Sequence, residues 1–339
     1  MAYLAYIGSN SVRDSEGIYV LSVSDAGALE KLGAVQAYNT GYLAMDRAGT
    51  RLYAVSEGMA FAGQASGGVM AYSIEDTLPR LINGAPTLGQ RPCCLNLSED
   101  GRLLYVSNFF GGSVAVFAVK PNGGIGEMVQ FRKEQPAPGK MDGMHCVDAL
   151  PGGEAAAIYC GTGSVIVYDG QSMQERARYD CPPGGFGPRH LVSDAQGRFL
   201  YLLMQSPAEV RTLRRDGAGY VCEQVLPAVG ADCTVDGDAA AIRLTPDGSL
   251  LLASVRAADV LAVYRVGADG LLTVSDYVHL PIVTPRDVNL TPDGRFVITA
   301  GQASDQVCIH EIDYAAGTLV LRGCLDGIVS PAAVVIKEV

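Results

Sequence analysis

One unit recurs along this chain: a short apolar strand, a tight turn containing glycine, a second apolar strand, then a polar turn. It reads "LNLSEDGRLLYVSNFFGGSVAVFAV" over 95–119, "LVSDAQGRFLYLLMQSPAEVRTL" over 191–213 and "VNLTPDGRFVITAGQASDQVCIH" over 288–310, with further copies starting at 43, 147 and 242. The turn glycines, Gly49, Gly101, Gly153, Gly197, Gly248 and Gly294, lie 52, 52, 44, 51 and 46 residues apart. That period is the length of a four-stranded blade, which cannot bury both of its faces alone and must stack on its neighbours. Asp-Gly and equivalent pairs supply the positive φ that a hairpin turn needs. Helical periodicity is hardly visible, so the chain reads as all-β with six evident blades.

The ends supply a seventh. "YLAYIGSN" (3–10) and "GIYVLSV" (17–23) look like second and third strands lacking a first, and "PAAVVIKEV" (331–339) looks like a first strand lacking its successors. Pairing them would remove two exposed sheet edges. The expectation is one seven-bladed β-propeller domain spanning 1–339, closed by its N- and C-terminal strands. Two β-sandwiches, the rival layout, would show a composition break near the middle, and none is visible.

Composition narrows the function. With 48% hydrophobic residues in 339, the chain can bury a large core, and a net charge of -11 argues against nucleic acid, which needs a basic stripe. No apolar run approaches a membrane helix, and "MAYLAYIGSNSVR" has neither the basic start nor the apolar stretch of a signal peptide. The expectation is a cytoplasmic protein without nucleic-acid or membrane partners; nothing in the sequence specifies an oligomeric state. The nine cysteines include no C-x-x-C pair and sit mostly in apolar runs, so they read as reduced core thiols. No motif asks for a cofactor, and no ligand spacing asks for a metal.

In each hairpin, the residue leading into the first strand lies beside the one trailing the second. If first strands line a central channel, these positions converge on one opening. The leading positions hold Gly41-Tyr42, Arg91-Pro92, His145, Arg189-His190, Ala240 and Pro285-Arg286; the trailing ones hold Glu57, Asn108, Cys160-Gly161, Gln205, Arg256 and Gln302. Two of the four histidines thus fall there. Convergent polar groups around a concave opening form a candidate binding site for a small anion.

Through "YIGSN", "LYAVSE", "SNFFGGSVAVF", "GPRHLV", "TPDGSLLLASVRAADVLAVY" and "PRDVNLTPDGRFV", the chain resembles the lactonase-type seven-bladed propellers. That family contains cycloisomerase-type 6-phosphogluconolactonases and carboxymuconate lactonizing enzymes. The absence of Trp sets the chain apart from WD40 proteins. The resemblance implies a catalytic set of His145, Arg189, Arg256 and the residue at 205, which is Gln205 where the family usually offers Glu. His190, Arg286, Asn108 and Glu57 are the further substrate contacts. Gly143, Tyr159 and Gly163 also depart from the pattern, replacing a His and two acids, and Val255 and Gly301 stand where Asn is common. The implied activity is hydrolysis of a phosphorylated or carboxylated sugar lactone, with His145 as general base and the arginines as anion and oxyanion clamps. A non-catalytic or degenerate anion-binding propeller is the alternative. A carboxymuconate-type cycloisomerase comes third, because Gln205 cannot transfer a proton.

Overall fold

The computed structural model describes residues 2–135, 142–182, 187–235 and 237–339, and they form a seven-bladed β-propeller of antiparallel four-stranded blades. Blade 1 joins the two ends of the chain: Pro331–Glu338 pairs with Tyr3–Ser9, followed by Ile18–Val23 and Leu29–Val35, with Tyr6 opposite Val335. The expected closure by terminal strands is present. Blades 2 to 4 begin with Leu43–Met45, Gln90–Leu97 and Cys146–Leu150, and blades 5 to 7 with Pro188–Ser193, Ala239–Leu244 and Pro285–Leu290.

The burial pattern explains why these strands lack the alternation of an ordinary surface sheet. The second strands Leu250–Val255 and Phe296–Gly301 are buried at every residue, because neighbouring blades cover both faces. Fourth strands such as Gly219–Pro227 alternate, with one face in water. Tyr201 and Leu203 of blade 5 pack on Ile242, Leu251 and Ala253 of blade 6, and Tyr53 and Val55 of blade 2 pack on Leu95, Leu104 and Val106 of blade 3. Each such Val, Leu or Ile side chain taken out of water contributes about 1.5–3 kcal/mol.

The chain divides into two compact units. One holds Met1–Gln36, His190–Arg214 and Cys222–Val339; the other holds Ala37–Arg189 and Arg215–Val221. The tip of blade 5 belongs to the second because Gly219 bridges Arg178 and the Arg215 guanidinium grips both oxygens of Glu154, at 2.6 and 2.8 Å. Polar ties repeat within each unit. The hydroxyls of Tyr53 and Tyr105 donate to the carbonyls of Gly123 and Gly170, both at 2.9 Å, and Tyr201 donates to Gly270 at 3.0 Å. First strands are linked as well: Asn96 donates to Asp148 at 2.6 Å, and Arg243 pairs with Asp287 at 2.9 Å while the other Asp287 oxygen accepts the Val334 N–H at 2.8 Å.

The expectation of nine reduced thiols is corrected. Cys94–Cys146 and Cys308–Cys324 stand as disulfides, and Cys93, Cys160, Cys181, Cys222 and Cys233 take part in neither. Viewed one strand at a time, each cysteine is a small core hydrophobe; register makes the pairs. Cys308 and Cys324 are directly opposite in blade 7, and Cys94 and Cys146 lie on the first strands of adjacent blades, with Cα atoms 5.2 Å apart. Alkylation of the unfolded, unreduced protein should tag five cysteines, rising to nine after reduction, by intact mass.

His310, buried in the third strand of blade 7 at 1% exposure, has its imidazole pushed down to about 4 by desolvation. A folded value below the unfolded one near 6.5 means the unfolded chain binds this proton first as pH falls. The stabilisation is therefore complete above the unfolded value and is lost down to about 4, a change of roughly 3 kcal/mol across that window. His310→Gln should flatten the pH dependence of the urea midpoint over this range relative to wild type.

Candidate functional site

A single backbone device sets the leading and trailing positions. In the first unit, the N–H of the trailing residue donates to the carbonyl of a residue shortly before the first strand: Asn10 to Ser330 at 3.1 Å, and Arg256 to Asp238 and Gln302 to Thr284, each at 3.0 Å. In the second unit, Glu57 to Asn39 and Gly161 to Gly143 make the same rung at 3.0 Å. Ser330, Asp238, Thr284 and Asn39 all adopt positive φ, between 45° and 68°, which turns the chain into the strand and aims its carbonyl across the hairpin. The expected side-by-side placement is observed. In blade 6, however, the partner of Arg256 is Asp238 and not Ala240.

Around that rung the first unit assembles a charged cluster. The Asp238 carboxylate forms an ion pair with Arg256 Nη2 and accepts from Gln205 Nε2 at 3.3 Å; the Asp238 carbonyl also accepts Arg256 Nε at 3.3 Å. The backbone closes the same knot, since Ala239 N–H donates to the Gln205 carbonyl at 3.1 Å. Burial lowers the Arg256 guanidinium to about 10; the nearby Arg286 adds to this and Asp238 opposes it. Gln205 and Arg256, named from sequence on adjacent blades, are thus brought together on Asp238, and the charge of Arg286 acts on Arg256. Asp238 was missed. Its available signal was the acidic "DGD" (236–238) directly before "AAAIRL", although Asp236 lies outside the described residues.

In the second unit, His145 is buried, donates its N–H to the Ile158 carbonyl at 2.8 Å and sets its ring edge-on to Phe109 at 5.9 Å. The Cys93 thiol donates to the His145 carbonyl at 3.1 Å. Arg189, 3% exposed, follows Gly187 and Pro188; Gly185 and Phe186 of the "GFGPRHL" stretch lie outside the described residues. Its cation acts on the Cys160 thiol, which burial pushes up to about 12 and Arg189 draws back down. Glycine is needed at 187 because a Cβ there would stand 2.5 Å from the Cys160 carbonyl oxygen. Glu57 accepts from Arg91 Nη2 and Nε at 2.6 and 2.9 Å, and that guanidinium lies over the Phe110 ring at 5.2 Å. Asn108 is fully buried, accepting from Thr87 Oγ1 at 2.6 Å and donating to Ser113 Oγ at 3.2 Å, so its amide ties strand to loop. His190, in the first unit, is buried at 4% exposure. Among the described residues, no group of three or more His, Cys, Asp or Glu is arranged to hold a metal ion.

The chain belongs to the family described as "Lactonase, 7-bladed beta-propeller", whose model matches residues 4–337. It is 28% identical over 326 residues to an uncharacterised protein of Lactococcus lactis, covering 93% of this chain and 94% of the relative. It is also 28% identical over 328 residues to a 6-phosphogluconolactonase of Serratia proteamaculans, covering 94% of each chain. The structure of a periplasmic gluconolactonase of Pseudomonas aeruginosa superposes with a TM-score of 0.90 at 27% identity, covering 99% of both chains.

Gly187→Ala tests the close approach that seats Arg189. The added methyl must displace the Cys160 backbone, and the expected loss is about 1–3 kcal/mol in urea unfolding.

Proposed function

We propose that this protein hydrolyses a phosphorylated or carboxylated sugar lactone, in the manner of a 6-phosphogluconolactonase. The observation that carries the reading is Arg256, a largely buried guanidinium that is ion-paired with Asp238 and lies within the electrostatic reach of Arg286: a desolvated cation at a strand opening is suited to an anionic group. Family membership and the names of the relatives support the same class of substrate.

In this reading, the His145 imidazole takes a proton from water as its oxygen attacks the lactone carbonyl, and then returns it to the ring oxygen as the C–O bond breaks. Within the second unit, Arg189 acts as the clamp for the developing oxyanion; within the first, Arg256 is a clamp for an anionic group. Within the first unit, His190 and Arg286 are the further substrate contacts; within the second, Glu57 holds Arg91 and Asn108 ties strand to loop. A binding propeller without turnover is the second reading, favoured by Gln205, whose amide cannot transfer a proton and is already donated to Asp238.

Purified protein should open 6-phosphogluconolactone faster than the spontaneous reaction, and His145→Ala should lower the enzymatic kcat by about a hundredfold or more. Arg189→Ala should lower kcat/KM on the same substrate. A wild-type rate equal to the spontaneous one, with gluconate 6-phosphate still bound in calorimetry, would leave the binding reading in its place.

A further inference from the structure

The rung between trailing residue and left-handed residue is built several times, and its neutral copies show what the backbone requires. Asn10 meets Ser330 and Gln302 meets Thr284 across hydrogen bonds of 3.1 and 3.0 Å, without a charge on either partner. Asn39 meets Glu57, whose carboxylate is committed to Arg91. Among the described residues, only in blade 6 are the two rung partners themselves an ion pair. The fold therefore does not need a carboxylate at 238: serine, threonine and asparagine hold the same backbone geometry elsewhere.

Asp238 also contacts the Arg256 side chain through two different atoms. Its carbonyl takes Nε and its carboxylate takes Nη2, so the guanidinium plane is fixed in orientation as well as in position. Gln205 holds the carboxylate from the neighbouring blade. The pair is unequally exposed: the Arg256 side chain is 13% accessible and that of Asp238 is 44%. The carboxylate is thus the more solvent-exposed member of the pair. With Arg286 acting on Arg256, the group carries two positive charges and one negative.

We propose that Asp238 is the positioning residue for Arg256 and, by offsetting one of the two guanidinium charges, determines how strongly this corner discriminates between anionic and uncharged lactones. The inference rests on the lactone hydrolysis proposed above. Orientation acts on the chemical step, because a guanidinium held by two atoms needs no reordering as charge develops on the substrate. Net charge acts on binding, because removing the carboxylate leaves a doubly positive corner.

Asp238→Asn separates the two effects, since asparagine tolerates the same positive φ and keeps an oxygen acceptor while losing the charge. The variant should lower KM for 6-phosphogluconolactone by about threefold to tenfold and leave KM for uncharged glucono-δ-lactone within about twofold. Its kcat should fall on both substrates by a similar factor. Asp238→Glu, which restores the charge on a longer side chain, should return the KM ratio towards wild type without restoring kcat. Thr284→Asn, at a neutral rung, should change neither. An unchanged KM ratio in Asp238→Asn, with only the melting temperature moved, would reduce Asp238 to a structural cap and overturn the inference. If wild type opens neither lactone, the functional reading fails separately. Calorimetry then decides the inference: tighter binding of gluconate 6-phosphate than of gluconate on going to Asp238→Asn supports it, and equal changes overturn it.

Discussion

Burial of the second strands on both faces is the constraint from which the rest of this molecule follows. Leu250–Val255 and Phe296–Gly301 present no polar face to water, so each of these blades must be covered on either side by another. A stack of such blades leaves exposed edges unless its ends meet, and pairing Tyr3–Ser9 with Pro331–Glu338 joins the two ends of the chain in one sheet. Polar chemistry is excluded from the middle strands by the same packing. It is left to the outer turns and to the hairpin positions where strands begin and end.

At those positions a repeated backbone bond becomes a place for function. The left-handed residue before the first strand costs little as asparagine, aspartate or glycine and aims a carbonyl at the trailing N–H. Once that rung is made, the side chains at its two ends are free to vary without loss of the fold. Asn10 with Ser330 and Gln302 with Thr284 are neutral uses of it, and Arg256 with Asp238 is a charged one. Desolvation of Arg256 beside Arg286 is unfavourable in itself, and a family of lactone-binding propellers is a context in which such a cluster has a use.

Parts of this were legible in the sequence and parts were not, for identifiable reasons. The spacing of Gly49, Gly101, Gly153, Gly197, Gly248 and Gly294 showed the blades because a hairpin turn requires positive φ at a fixed place in each repeat. Positions counted along each hairpin single out Gln205 and Arg256, which meet on Asp238, and Arg286, whose charge acts on Arg256. Asn108 looks the same as these by position, yet Thr87 and Ser113 consume its amide. Asp238 escaped because its left-handed turn shifts the effective partner of Arg256 two residues ahead of Ala240, and strand counting cannot see such a shift.

The amino-acid sequence by itself determined the number of blades, their all-β character and the joining of the chain's ends, since these depend on local turn chemistry and on apolar runs repeated along the chain. Only the tertiary structure decided that Cys94 meets Cys146 and Cys308 meets Cys324, and that Arg256 shares Asp238 with Gln205. These pairings join residues 16 to 52 positions apart in the chain. They are set by strand register and by the stacking of one blade on the next, which are properties of the folded backbone and are not encoded in any local stretch.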